Sequence, residues 1–443
     1  MSGAADLVCA ARGARAQRRL RRLGERGSVG GGRVEARVRR IIEAVRRDGD
    51  RALLALTQRL DGVRLRPGQL RVPAAAIAAA YRALPPAVRR DLRLAARRIR
   101  AFHARQRERS WSFRDASGVR LGLRVQPLER IGVYVPGGRA VYPSTVLMTV
   151  LPARVAGVRE VIAVSPPRAD GRTLVDNPIV LAACHVAGVE VLYRIGGAQA
   201  IAALAFGTAT VPRVDKVVGP GNIYVATAKR LCYGQVAVDA IAGPSEVLIV
   251  ADGTADADLV AADMLAQAEH DPRSAAICVT PDRRLAARVA GALDRQLTTL
   301  PRRGVAARAL ADFGAIIVTR SLADAVAIAN RIAPEHLELA VRDARRWAAR
   351  VRHAGAIFLG QDAPEAFGDY LAGPNHVLPT GGTARFASPL GVYDFVKRTS
   401  LIEAGPRALA RLGPTVVRLA RLEGLDAHGR AVERRLAAMG GGA

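Results

Sequence analysis

From Arg130 onward, short apolar runs (IGVYV, EVIAVS, VEVLYRI, KVVG, EVLIVA) recur between helical stretches and Gly/Pro turns. Continuous apolar runs suit strands buried on both faces, and parallel strands need long crossover connections, usually helical. A second set follows at AICVT, AIIVT and AIFLG. The pattern predicts an α/β chain of two interleaved units without internal repeats. With 443 residues and 50% hydrophobic content, the chain is long enough for two or more packed domains.

The region before Arg130 reads differently. Residues 1–30 form a polar Arg/Gly arm ending in the flexible stretch GSVGGG, and residues 34–60 and 74–107 read as helices. Ile41, Ile42, Val45, Leu53, Leu54 and Leu60 recur near the helical period. No apolar run approaches the ~18 residues of a membrane span. Arg12, Arg15, Arg18 and Arg19 interrupt any signal-peptide core, so no membrane association and a cytoplasmic location are expected.

The formal charge of +28 invites a nucleic-acid reading, in which clustered Lys and Arg neutralise phosphates. The distribution argues against it: only Lys216, Lys229 and Lys397 are lysines, and the arginines are spread over solvated helix faces. Aromatic residues make up 4% of the chain and no recognition motif accompanies the charge, so no specific nucleic-acid partner is expected. Cys9, Cys184, Cys232 and Cys278 show neither metal-site spacing nor a disulfide framework and read as small buried hydrophobes. A catalytic thiol at Cys232 is the sharper alternative, but no His or acid stands beside it in sequence.

Four Gly-rich turns follow predicted strands: VPGG at 135–138, IGGAQAIAALAFG at 195–207, VGPGNIYV at 218–225 and AGPSE at 242–246. Most open a helix, where free N–H groups and the helix dipole can hold a phosphate. None is a GxGxxG, and each alone is an ordinary turn; four in succession at strand C-termini point to a ligand crevice.

Seven histidines carry the remaining chemistry. The helical run ADLVAADMLAQAEHDP sets Gln267 and His270 three residues apart, so an amide oxygen and an imidazole can converge. The dyad alone fits helix-end capping just as well, and Gln is an uncommon zinc ligand. Asp369 in AFGDYLAG, His376 in AGPNHVLPTGG and His428 in LEGLDAHGR supply matching partners. A Gln–His–Asp–His set would leave zinc cationic and able to hold a neutral amine or imidazole. In IAPEHLEL, the proline favours a turn from which Glu335 and His336 address different sides of one substrate. Glu335 can deprotonate a water and His336 an alcohol, although the fragment alone equally fits a surface Glu-His pair.

Taken in order, RIGVYVPGGRAVYPS, GGAQAIAALA, VDKVVGPGNIYVATAK, DAIAGPSEVLI, MLAQAEH, APEHLEL, GDYLAGPNHVLPT and SPLGVYDFVKR resemble histidinol dehydrogenase over residues 34–435. The resemblance implies oxidation of L-histidinol to L-histidine through an enzyme-held histidinaldehyde, in two NAD-dependent steps that end histidine biosynthesis. It implies Gln267, His270, Asp369 and His428 as zinc ligands, one ion per subunit, and Glu335 and His336 as the catalytic pair. Ser245, His376 and Glu423 match substrate contacts, as do the zinc ligands and His336; Tyr134, Gln199 and Asn222 match NAD contacts. Two oxidations at one site require the aldehyde to stay held while NADH leaves, which anchoring at the substrate's far end allows.

The implied fold is two incomplete Rossmann-like domains with extended helical terminal segments, in an intertwined homodimer whose C-terminal tail brings Glu423 and His428 to the partner's site. The expected boundaries are an arm at 1–29, a first domain at 30–133 and 246–390, a second at 134–245 and a tail at 391–443. Asp271 beside His270 stands where glycine is usual, and Arg139 where lysine is common. A relative acting on a different amino alcohol is the alternative reading; Glu423 and His376 speak against it.

Overall fold

The computed structural model describes residues 4–26, 31–137, 142–170 and 173–440. Residues 27–30 of the GSVGGG stretch, together with Gly138 and Arg139, lie outside the described residues.

The apolar runs form two parallel sheets within one compact unit, residues 1–106 and 129–394. The larger has six strands in the order Val8–Ala10, Ala315–Val318, Ala275–Thr280, Glu246–Ala251, His336–Ala340 and Ala356–Leu359. Every neighbouring pair is parallel, and the central strands Glu246–Ala251 and Ala275–Thr280 are buried along their whole length. Both faces are covered, which is why their sequences run apolar without alternation. The smaller sheet runs Ala237–Val238, Lys216–Val218, Arg130–Tyr134, Glu160–Ser165 and Val191–Arg194, again all parallel. The α/β expectation with parallel-rich sheets holds.

The helices before Arg130 are present, with two breaks, the first at Gly49, whose φ of 52 and ψ of -128 kink Gly32–Asp61. Leu84 is extended and Pro85–Pro86 follows, so the second stretch divides into Ala74–Ala83 and Pro86–Ala104. Helix Gly32–Asp61 buries Val38, Ile41, Val45, Leu53 and Leu56. These pack in one core with Ile201 and Leu204 of Gly197–Phe206 and Val225 of Ile223–Cys232.

Residues 32–61, expected in the first domain, lie with the five-stranded sheet and not with the six-stranded one. Periodicity marks a helix's buried face but carries no information about which sheet will cover it. The N-terminal arm is also more than polar chain. Val8–Ala10 adds an edge strand in parallel register with Ile316–Val318, and helix Ala14–Arg26 follows it.

A second compact unit comprises residues 107–128 and 395–443. Val396–Glu403, Arg120–Pro127 and Trp111–Arg114 form an antiparallel sheet in that order, and helices Pro406–Leu422 and Asp426–Gly440 pack as a hairpin. Residues 107–128, expected in the first domain, therefore lie with residues 395–443 of the tail. Glu423 and His428 sit at the hairpin bend, both exposed. Among the described residues no helix is long and apolar enough to cross a membrane.

Candidate active site

A cleft of about 1030 Å³ opens between the two parallel sheets, lined by Tyr134, Gln199 and Asn222 on one wall and by His270, Glu335, His336, Glu365 and Asp369 on the other. The walls have opposite polarity. Tyr134 ends its strand, and Gly197 and Ile223 begin helices, so the five-stranded sheet faces the cleft with strand C-termini and helix N-termini. Glu246 and His336 begin their strands, and Gln267 lies in the last turn of Ala257–Ala268, so the six-stranded sheet faces it with strand N-termini and helix C-termini. AGPSE accordingly leads into a strand instead of opening a helix, unlike the other glycine turns.

The catalytic candidates are placed by a helix stop. Leu322–Ile332 ends at Ala333, whose φ of 53 is the single positive value outside glycine among the described residues. Pro334 then turns the chain into Glu335 and the strand His336–Ala340. Both side chains are buried, Glu335 at 5% and His336 at 4% exposure, which excludes the surface reading. The Glu246 carbonyl lies 3.2 Å from His336 Nδ1, and a carbonyl can only accept. Nδ1 therefore carries the proton, and Nε2, buried without a partner, is left as a bare base. Burial lowers the imidazole's pKa to about 3, so the ring is neutral at physiological pH.

Glu335 Oε2 accepts from the backbone N–H of Glu246 at 3.0 Å, and its carboxylate also bonds the Ser245 side chain. Burial first, and the Glu246 charge second, push its pKa well above the ordinary carboxylate range. A carboxyl shifted upward in this way holds a proton more readily than an exposed one and is a candidate for proton exchange with a bound molecule.

Three further donors lie close by: ligand atoms of His270, Glu365 and Asp369 fall within 4.8 Å of one another. His270 is beyond the helix rather than on its face, in a turn where its N–H donates to the Gln267 carbonyl at 3.3 Å. Gln267 is fully buried, and neither its amide oxygen nor its amide nitrogen has a hydrogen-bond partner. Asp369 sits on a wide π-type turn, Gly368–Ala372, a local geometry frequent at functional sites. Its pKa is pushed up to about 7 by burial. His376 Nδ1 lies 3.2 Å from the Asp369 carbonyl, which fixes its ring, and burial lowers its pKa to about 4.

An orphaned buried amide oxygen, a neutral imidazole and carboxyls destabilised by burial at a helix C-terminus are together a fit for a divalent cation. The structure brings together His270, Asp369 and His376 with Glu335 and His336 in one cleft and leaves the buried Gln267 amide unpartnered one turn before His270, while His428 and Glu423 belong to the second unit. Glu365 was missed in the sequence, although it stands four residues before Asp369, one helical turn away; its Oε1 is 3.5 Å from His336 Nδ1.

On the opposite wall the Tyr134 hydroxyl accepts from the Gly197 N–H at 3.1 Å, and the Asn222 side chain caps its helix by accepting from Tyr224 and Val225. Gln199 is fully buried; its Nε2 reaches Asp61 Oδ2 at 3.4 Å and its Oε1 is unpartnered. The turn between Val218 and Asn222 is locked from below: Lys229 Nζ donates to the Gly219 carbonyl and to Asp239, and Asp239 accepts from the Gly219 N–H at 2.7 Å. A side chain at Gly219 is impossible, since φ is 108 and a Cβ would meet the Tyr134 carbonyl oxygen at 2.3 Å. Helix N-termini and an orphaned amide oxygen in one wall suit the phosphates and polar edges of a dinucleotide. Cys232 is buried in the core behind this wall, and its thiol is pushed up to about 11, so it is no nucleophile.

A family model described as histidinol dehydrogenase matches residues 25–436. A histidinol dehydrogenase of Syntrophotalea carbinolica is 57% identical over 404 residues, covering 91% of this chain and 93% of the relative. One from Pseudomonas syringae pv. tomato is 51% identical over 411 residues, covering 92% and 91%. The crystal structure of histidinol dehydrogenase from Elizabethkingia anophelis superposes with a TM-score of 0.89 at 35% identity and 96% coverage of each chain.

Proposed function

We propose, because this chain belongs to the histidinol dehydrogenase family, that it oxidises L-histidinol to L-histidine in two NAD-dependent steps, the last reaction of histidine biosynthesis. The observation that carries the reading is the shared cleft: a bare imidazole nitrogen, a buried carboxyl and a set of cation donors face a wall built for a nucleotide.

Gln267, His270 and Asp369 would hold zinc, with His428 as the ligand the family resemblance adds, and the ion when bound grips the imidazole and amine of the substrate. Tyr134, Gln199 and Asn222 would hold NAD, which supplies the hydride acceptor. His336 Nε2 takes the hydroxyl proton as the carbinol carbon gives up its hydride, leaving the aldehyde. Glu335 then draws a proton from water as that water adds to the aldehyde, whose oxygen takes back the proton held on His336, and the freed His336 deprotonates the hydrate for the second hydride transfer. Ser245 and the backbone of Glu246 keep the Glu335 carboxylate aimed, and His376 lines the substrate end of the cleft.

We assign the working form to a cytoplasmic homodimer in which Glu423 and His428 of one subunit complete the site of the other. The test is zinc-loaded protein with L-histidinol and NAD, followed by absorbance and product analysis. Two NADH formed per histidinol consumed support the reading; one NADH, or none, overturns it.

A further inference from the structure

The arginine-rich start of the chain ends in a residue that the proposed chemistry leaves unexplained. Arg26 is the last residue of helix Ala14–Arg26, yet its side chain is only 1% exposed. Its Nη1 donates to the carbonyls of Ser245 at 2.9 Å and Arg273 at 2.8 Å, and its Nη2 pairs with the Glu246 carboxylate. Arg273 returns a bond from its own guanidinium to the Arg26 carbonyl at 2.8 Å.

Glu246 is also the residue whose backbone contacts the catalytic pair. Its N–H donates to Glu335 Oε2 at 3.0 Å and its carbonyl accepts from His336 Nδ1 at 3.2 Å. The other oxygen of its carboxylate accepts from the Gly381 N–H at 3.0 Å. Side chain, N–H and carbonyl of one residue are thus all fixed, and Arg26 holds both its carboxylate and the carbonyl of the residue before it.

We infer that Arg26 is a positioning residue: the N-terminal segment supplies a guanidinium clamp on Ser245–Glu246 that sets the aim of Glu335 and the tautomer of His336. The inference rests on the reading of Glu335 and His336 as the catalytic pair. The planar fork is what the task needs, because one guanidinium reaches two carbonyls and a carboxylate in fixed directions, whereas an ammonium is a point charge on a flexible stem. The site also needs the charge, since Glu246 is a buried carboxylate that is costly to leave uncompensated.

The experiment uses the full-length, metal-loaded chain. In Arg26→Lys, kcat falls by roughly 100-fold, the cost of an ångström-scale misplacement of a reacting group. KM for histidinol and for NAD and the bound metal per subunit stay at wild-type values, and guanidinium added to Arg26→Ala restores part of the lost kcat. Arg19→Ala is the control, because Arg19 anchors the same helix through the Gly314 carbonyl without touching the catalytic segment.

A wild-type kcat in Arg26→Lys overturns the inference, and so does an equal loss in Arg19→Ala, which would assign the effect to helix docking alone. Should Arg26→Lys not fold, the double variant Arg26→Met/Glu246→Gln removes both buried charges together. A loss of kcat there supports the clamp and full kcat overturns it. Glu335→Gln run in parallel separates the two readings: full activity in that variant removes the catalytic assignment and the inference with it. An inactive Glu335→Gln beside an active Arg26→Lys overturns the clamp only.

Discussion

The two walls of the cleft differ in how many buried polar atoms they leave without a partner. Behind the five-stranded wall the buried cations are paired: Lys229 with Asp239 at 2.5 Å, Lys216 with Asp394 at 3.0 Å and Arg194 with Asp176 at 2.5 Å. On the six-stranded wall Arg26 pairs with Glu246, yet Glu365 Oε2, both Gln267 amide atoms and His336 Nε2 are buried without partners, where the five-stranded wall leaves Gln199 Oε1 so. Paired groups hold a surface in shape, while unpaired ones are costly to maintain and are kept where a ligand completes them. The dipoles agree with this division, since helix N-termini on one wall favour an anionic cofactor and a helix C-terminus on the other favours a cation. The difference teaches that scaffold and chemistry are divided between the sheets, and each half can be attacked separately.

The sharpest break is at Glu335, the base proposed for the water. Glu335→Gln lowers kcat by about 1000-fold, within the range of a positioned acid–base group, while metal content and folding are retained; stopped-flow and metal analysis check both. Removing a partner on the paired wall costs stability instead. Asp239→Asn leaves Lys229 charged and buried, and unfolding in urea is expected to show a loss of about 3–5 kcal/mol.

The unpaired wall should behave in reverse. Glu365→Gln leaves the metal-free chain at least as stable as wild type, because it removes a buried carboxyl whose pKa burial already raises well above normal. The same change weakens divalent metal retention by roughly 10–100-fold, readable by competition with a chelator. A marked loss of stability in metal-free Glu365→Gln would erase the contrast between the walls.

The smallest effect concerns Asp61, the carboxylate beside Gln199, whose pKa is raised to about 6 by burial. Its protonated form is favoured in the folded chain, so the stability it contributes is present below pH 3.8, its ordinary value, and is lost as pH rises through about 6. Across that window the Tm of wild type should fall relative to Asp61→Asn, and parallel thermal curves for the two proteins would contradict the shift.

Much of this was legible in the sequence because it is local. The buried strands announce themselves as unbroken apolar runs, and Glu335 and His336 are neighbours behind a proline. Gln267 and His270 stand together in the sequence, but a turn after the helix, not a shared helix face, brings His270 near Asp369. Glu365 had a usable signal in its spacing to Asp369 that went unread.

Other features have no local signature. The reversed polarity of the two walls is hidden because AGPSE, which enters a strand, looks like the glycine turns that leave one. The side on which Gly32–Asp61 packs is a property of the tertiary fold, and Arg26 is one arginine among dozens until its burial is known. Residues 107–128 join residues 395–443 through antiparallel pairing that no periodicity within either segment encodes.

The short strand Val8–Ala10 closes one side of the catalytic sheet by pairing with Ile316–Val318. Trimming the chain back to the helix that starts at Gly32 would therefore do more than shorten a tail: it would bare a hydrophobic ribbon with unsatisfied amides, the kind of surface that recruits foreign strands and drives precipitation. Expression clones of this enzyme should carry purification tags ahead of an intact beginning and never in place of it.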